Sequence, residues 1–102
     1  MLYDGAIRFV GQARDAHQRG DRFGRATGVS RAMAIVAELQ NTLDVDRGGE
    51  IATNLDRLYQ YMMARLLDVT RTGDPVALEE TMKLLCTLRD AWVKVASTAA
   101  RS

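Results

Sequence analysis

Apolar residues recur at helical spacing through four successive segments of this sequence, and that periodicity constrains the fold more than any other feature. Within each segment they fall three and four residues apart, which places them on one face of an α-helix. No segment shows the strict alternation of apolar and polar residues that is typical of a half-buried strand. The pattern predicts helices over about residues 2–19, 21–43, 50–71 and 75–99.

Glycine and proline separate these segments. Gly20 and Asp21 divide the first two, and the adjacent Gly48 and Gly49 lie between the second and the third. The string Gly73-Asp74-Pro75 combines a helix stop, an N-cap and a proline at the first helical position. Loops this short favour antiparallel neighbours, and a chain of 102 residues has room for one core. The sequence therefore predicts one all-α domain, an antiparallel up-down-up-down four-helix bundle.

Composition and charge exclude several classes of function. The 14 basic and 13 acidic residues are spread along the chain, so it has no basic face of the kind that binds nucleic acid. It has no run of about 20 apolar residues that could insert into a membrane. Cys86 is the only cysteine and cannot form a disulfide within the chain. With no signal-peptide pattern at the N-terminus, we expect a cytoplasmic protein.

The last two helices carry more apolar surface than one bundle core requires. A bundle helix needs an apolar stripe somewhat over 100° wide, whereas the arc of the fourth helix spans about 220° when residues are placed at about 100° intervals. Two interpretations stay open: central helices or a homodimer that buries this surface, or a groove for an amphipathic partner helix. The candidate partner contacts, from the second stripes of these helices and from the second helix, are Ile35, Leu39, Tyr59, Met63, Leu67, Leu84, Leu88, Ala91 and Val95.

The sequence contains no convincing metal or cofactor site. The acidic segment 44–50 resembles the start of a calcium loop, but Gly48 and Leu55 stand where two of its ligands should be. His17 is the only histidine, and with a single cysteine it cannot complete a zinc tetrad. No glycine-rich phosphate loop follows a strand. We therefore predict no metal, no cofactor and no enzymatic activity.

Two arginines leave one enzymatic alternative open. Arg89 falls inside the apolar arc of the fourth helix and Arg65 at the margin of the stripe on the third. Charges there must be paired, reach solvent or line a pocket. A pocket of inward arginines would suit a small all-helical enzyme of the chorismate-mutase type that grips a dicarboxylate. The structural interpretation is that these arginines pair with carboxylates, the candidates being Asp4, Asp44 and Glu50.

Several strings along the chain resemble the family of the flagellar secretion chaperone FliS, in family order and with plausible spacing. They are LYDGAIRF at residues 2–9, LD at 43–44, GGEIA at 48–52 and NL at 54–55, followed by LYQYM at 58–62, RL at 65–66, LL at 84–85 and LRDAW at 88–92. Gln60 stands where the family often has aspartate. Each string alone is weak, but together they cover nearly the whole chain.

The resemblance implies a helical-bundle export chaperone. Such a protein would bind the disordered C-terminal region of flagellin in the cytoplasm and prevent its premature polymerisation. It would also help to deliver the subunit to the flagellar type III export apparatus, with the export gate as a second partner. The residues that we assign to architecture rather than to binding are Asp44, Gly48, Gly49, Asn54, Arg65, Arg89 and Trp92.

The resemblance also draws attention to the N-terminus. Family members usually carry a further segment before the LYDG string, and that segment packs over part of the partner surface. Here Met1 stands directly before the string. We therefore expect apolar surface to be left uncovered, which would make the chain prone to dimerise.

Overall fold

The computed structural model describes residues 2–101, with side chains described for residues 2–44 and 46–94. Every regular element in that part of the chain is an α-helix. The four helices are α1 Leu2–Gln18, α2 Arg22–Asn41, α3 Val45–Thr72 and α4 Pro75–Arg101. The prediction of an all-α fold built from four helices is confirmed.

The helices pack as a ring of neighbours. Each packs against the next one along the chain and α4 returns to α1, whereas across residues 2–101 the backbones of the diagonal pairs α1–α3 and α2–α4 do not approach closely. Because the connections are short, consecutive helices run antiparallel. The result is the up-down-up-down bundle that the sequence predicts. Contact is most extensive between α1 and α2 and least extensive between α3 and α4.

Small residues allow α1 and α2 to approach closely. A Cβ atom added at Gly28 would lie 2.8 Å from the carbonyl oxygen of Phe9 and 3.0 Å from Cβ of Ala13. Ala6 and Ala32 are also fully buried. Backbone atoms of one helix therefore contact the other helix directly at Gly28, with no side chain between them.

Longer side chains fill the centre of the bundle. Met62, Leu66 and Leu85 are fully buried, and all three belong to the stripes that the periodicity places in the core. Thr81 is buried as well, and its hydroxyl donates to the carbonyl oxygen of Ala77 at 2.9 Å. Such a bond satisfies the hydroxyl within its own helix, so Thr81 leaves no unpaired polar group in the core.

Three large apolar residues that the periodicity places in core stripes lie at the surface instead, and one of them is Leu2 of α1, which is 43% exposed. Ile51 of α3 is 74% exposed and Trp92 of α4 is 44% exposed. Both face a cleft between α3 and α4. The prediction that Ile51 and Trp92 are buried is wrong because a cleft separates α3 from α4 where these residues lie. Neither helix therefore covers the apolar stripe of the other there.

Helix α3 begins earlier than the predicted residue 50. The carboxylate of Asp44 caps it by accepting a hydrogen bond from the backbone N–H of Arg47 at 3.2 Å. Gly49 then interrupts the helix with φ 58° and ψ −134°, a conformation open to glycine. The paired glycines therefore permit a capped first turn and a kink, where we expected a loop. The predicted punctuation at Gly73 and Pro75 is confirmed.

Substitution of Gly28 tests the close approach of α1 and α2. Gly28→Ala should lower the free energy of unfolding by roughly 1–3 kcal/mol, because the atoms that its Cβ meets belong mostly to backbone and cannot rotate away. For a domain of this size, each kcal/mol corresponds to a fall in Tm of about 4–8 °C, which thermal denaturation followed by circular dichroism measures.

Gly11→Ala is the matched control for that experiment. A Cβ at Gly11 would meet only Cε of Met82, at an ordinary contact distance of 3.6 Å. The gain in helix propensity should therefore stabilise the protein by about 0.5–1 kcal/mol. If Gly28→Ala raised Tm as Gly11→Ala does, the account of the α1–α2 contact would be wrong.

Candidate partner-binding groove

An apolar cleft of about 340 Å³ opens between α3 and α4. Its walls are aliphatic and aromatic, and the open edge is formed by the exposed Ile51 on one side and Trp92 on the other. Pockets that bind other molecules are mostly apolar and concave, and amphipathic helices dock in clefts of this kind. We call this cleft the α3–α4 groove. Its lining residues are Ile51, Leu55, Leu88, Ala91 and Trp92.

A second cleft of about 490 Å³ continues the groove over the α2–α3 connection. The two clefts share Ile51, Leu55 and Trp92. At the far end of the second cleft the lining becomes polar and includes Asp44 and Arg47, whose side chains form an exposed ion pair at 3.5 Å. The combined surface is therefore apolar between the helices and charged at the loop.

Trp92 is held in place by hydrogen bonds inside the bundle. Its Nε1–H donates to the hydroxyl oxygen of Tyr3 at 3.0 Å. Tyr3 is buried, and its hydroxyl also shares a short hydrogen bond with that of Tyr59. Burial raises the pKa of Tyr59, and the hydrogen bond with Tyr3 raises it further. The Tyr59 phenol therefore stays neutral. Through these hydrogen bonds the two tyrosines connect α1, α3 and α4 behind one wall of the groove.

Comparison with known proteins identifies the family. The profile of the family described as "Flagellar protein FliS" matches residues 1–99. The chain belongs to the FliS family. It is 37% identical to the flagellar secretion chaperone FliSB of Pseudomonas aeruginosa, over 90% of this chain and 73% of that protein. It is 39% identical to the flagellar secretion chaperone FliS of Salmonella typhimurium, over 97% of this chain and 74% of that protein. The resemblance read from the sequence motifs is confirmed.

The predicted contact residues of this FliS family member occupy four kinds of position. Leu88 and Ala91 line the α3–α4 groove, and Leu67 is 46% exposed elsewhere on α3. Leu39 and Tyr59 are buried in the core, so they can reach a partner only if the bundle opens. Ile35, Met63 and Leu84 are half-buried and pack against that core. Val95 lies outside the described side chains.

Sequence reasoning missed three groove residues. The helical spacing of Ile51 and Leu55 predicts that both lie in the core stripe of α3, and we predict an architectural role for Trp92. The periodicity gives the direction in which a side chain leaves its helix, and the side chains of Ile51, Leu55 and Trp92 all face a neighbouring helix. The signal that the sequence offers is the kink-forming Gly48-Gly49 pair, which ends two residues before Ile51. Such a break changes the direction of a helix axis and so can separate it from a neighbour.

Neither arginine of the enzymatic alternative lines the groove. Arg89 contacts Asp4 at 3.6 Å and Asp90 at 3.2 Å, so the predicted pairing with Asp4 is confirmed. Arg65 is paired as well, but with carboxylates other than those predicted. Its contacts are Glu80 at 3.0 Å, Asp68 at 3.3 Å and Asp74 at 3.8 Å.

Two further features are absent from the described part of the chain. Within that part of the chain, no group of three or more histidine, cysteine, aspartate or glutamate side chains is arranged to hold a metal ion. No helix over the same residues is long and apolar enough to cross a membrane.

The Glu80 carboxylate joins α4 to α3 through two donors. The hydroxyl of Tyr61 donates a short hydrogen bond to it, and Nε of Arg65 donates to the same oxygen at 3.0 Å. The hydrogen bond from Tyr61 lowers the pKa of Glu80, and the hydrogen bond and charge of Arg65 lower it further. The folded bundle therefore favours the ionised carboxylate.

This contact predicts a pH dependence of stability. A carboxyl whose pKa is lowered by folding stabilises the protein above its unfolded pKa of about 4.3, and that contribution disappears as the pH falls through the folded pKa. Glu80→Gln should therefore flatten the decline of Tm between about pH 5 and pH 3. The neighbouring Glu79→Gln, which removes one exposed ion pair with Arg14, should keep the wild-type slope. Equal slopes in all three proteins would contradict the assignment.

Proposed function

We propose that this protein is a flagellar secretion chaperone that binds the disordered C-terminal region of flagellin in the cytoplasm. In this role it would hold the subunit before export, prevent its premature polymerisation and help to deliver it to the flagellar type III export apparatus. Family membership and the names of the relatives support the proposal. The structural observation that carries it is the α3–α4 groove, an apolar cleft with Ile51 74% exposed at its edge.

The dimensions and chemistry of the groove suit an amphipathic helix. Such a segment presents apolar anchors at positions i, i+3 or i+4, and i+7. Folding a disordered segment on contact costs about 2–5 kcal/mol, whereas complete burial of one large apolar side chain contributes about 1.5–3 kcal/mol. Ile51 and Trp92, together with the anchors of the partner, can therefore offset the cost of ordering.

The proposed mechanism requires no chemistry beyond the burial of apolar surface. Apolar faces of flagellin's terminal segments pair with one another in the filament, as the family resemblance implies. A chaperone that covers one such face blocks assembly by competition. Arg65 and Arg89 are engaged by carboxylates of this chain, which favours a binding protein over an enzyme that uses them to hold a dicarboxylate.

The client would extend beyond the groove along the bundle. We assign Leu88 and Ala91 to the groove itself, together with Ile51, Leu55 and Trp92. Contacts further along a wrapping path would come from the other predicted residues that lie at or near the surface, which are Ile35, Met63, Leu67 and Leu84.

Calorimetric titration with a peptide of the C-terminal region of flagellin from the same organism tests the proposal. We expect saturable binding with a negative heat-capacity change, because apolar surface is buried, and a gain of helix in far-ultraviolet circular dichroism. Sedimentation velocity before and after mixing identifies the homodimer alternative. A dimer that the peptide does not dissociate, or a monomer that does not bind the peptide, would contradict the proposed function.

Ile51→Asp should weaken peptide binding without affecting the fold. Placing a carboxylate in the groove removes the contact of a large apolar side chain, which corresponds to about 10- to 100-fold in Kd. Leu88 is less suitable for this test, because it is half-buried and packs against the core. Titration of the variant measures the loss, and circular dichroism checks that its helicity is retained.

Val76→Asp is the matched control, since Val76 is 65% exposed and lies outside the lining of the groove. It introduces the same charge on an exposed branched residue and should leave Kd within about twofold of the wild type. If the two variants bound equally well, the groove would not be the binding site.

A further inference from the structure

Trp92 contributes the only polar side-chain atom among the five residues that line the α3–α4 groove. That atom, the indole Nε1, is a donor and cannot accept. It is already engaged, because it donates to the hydroxyl oxygen of Tyr3 at 3.0 Å. The lining side chains therefore offer an occupant apolar contact and no free hydrogen-bonding group.

The acceptor of this bond is itself firmly placed. Tyr3 is buried and belongs to α1, and its hydroxyl is also bonded to that of Tyr59 in α3. A phenolic oxygen can accept from the indole and still form one bond with a second hydroxyl. Among the described residues, no buried side-chain nitrogen or oxygen is left without a partner. The indole ring thus has one satisfied orientation, although 44% of Trp92 is exposed.

We propose that Tyr3 is a positioning residue that determines the specificity of the groove. By holding the indole and occupying its N–H, Tyr3 makes the groove select a segment whose anchor side chains are wholly apolar. A polar anchor would lose its water and find no partner in the walls. This inference rests on the proposed function for the identity of the natural occupant, a flagellin segment.

The inference also gives the occupant a direction. Among the residues that line the two clefts, charged side chains occur only where the second cleft reaches the α2–α3 connection, at Asp44 and Arg47. The bound segment should therefore place its apolar anchors between α3 and α4 and its polar or charged residues toward that connection.

Tyr3→Phe tests the role of Tyr3, because it removes the acceptor and keeps the ring. The probes are the flagellin peptide and variants of it in which each apolar residue is replaced in turn by asparagine, which is close to leucine in shape. The most damaging position defines the anchor. In the wild type we expect the asparagine peptide to bind at least tenfold more weakly. In Tyr3→Phe the indole ring is no longer held and can turn its N–H toward the asparagine, so this ratio should fall about fivefold.

Tyr59→Phe is the matched control, since it removes a buried hydroxyl of the same network and leaves the bond between Trp92 and Tyr3 intact. It should keep the wild-type ratio, even if it lowers Tm as much as Tyr3→Phe does. The inference is overturned if Tyr3→Phe keeps the wild-type ratio, or if both variants lower it equally, since that would indicate a general loss of packing.

A measurement without flagellin separates this inference from the proposed function. Trp92 is the only tryptophan, so the ¹⁵N-labelled protein gives a single indole resonance. Its shift can be titrated with toluene and with phenol, which accepts a hydrogen bond. We expect the wild type and Tyr59→Phe to bind toluene more tightly than phenol by the same factor. Tyr3→Phe should lose part of that preference, and its indole proton should exchange with solvent faster. An unchanged preference in Tyr3→Phe overturns the inference, whereas failure of the wild type to bind the flagellin peptide overturns only the proposed function.

Discussion

The contact between α1 and α2 is the constraint on which the rest of the bundle depends. At Gly28 the two helices approach so closely that a Cβ would lie 2.8 Å from a carbonyl oxygen of α1. Large side chains hold a helix pair further apart than small ones do. The bundle therefore has one tightly packed pair of helices and a second pair, α3 and α4, whose long side chains such as Met62 and Leu85 fill the centre. The looser second pair is the one that opens into a groove.

An open apolar cleft tends to close, and two features of this chain oppose its closure. Gly49 kinks α3 just before Ile51, so the first turns of α3 need not follow the line of the rest of the helix. The indole of Trp92 is bonded to Tyr3 of α1, and collapse onto α3 would break that bond and leave a buried acceptor with one partner fewer. Backbone geometry on one side and a hydrogen bond on the other thus keep the two walls apart.

Helix number, order and pairing could be predicted from the sequence because each depends on local properties. Periodicity sets the face of a helix. The N-cap Asp21, the C-cap Gly73 and Pro75, the first residue of α4, mark where helices begin and end. The groove could be predicted only in part. Leu88 and Ala91 stood out because they widen the apolar arc of α4, but Ile51 and Trp92 share their angle with true core residues. Whether such a residue is buried depends on the distance between the axis of its own helix and that of the neighbouring helix. Helical periodicity carries no information about that distance. Tyr59, which we predict as a partner contact, is buried for a different reason, because helical spacing places it on the core face of α3, three residues before Met62 and seven before Leu66.

The small size of the groove bears on what an export chaperone has to do. A carrier must hold its client firmly enough to prevent assembly and still release it at the export apparatus. Five lining residues provide limited apolar burial, and part of that free energy is consumed in ordering the client. If the client folds as it occupies this shallow cleft, as we propose, its affinity would be moderate for the length of client covered. Release would then require only that one end of the segment unfold, because the remaining contacts would no longer offset the conformational entropy lost on ordering. A deep, preformed pocket would bind more tightly and would be poorly suited to handing its client on.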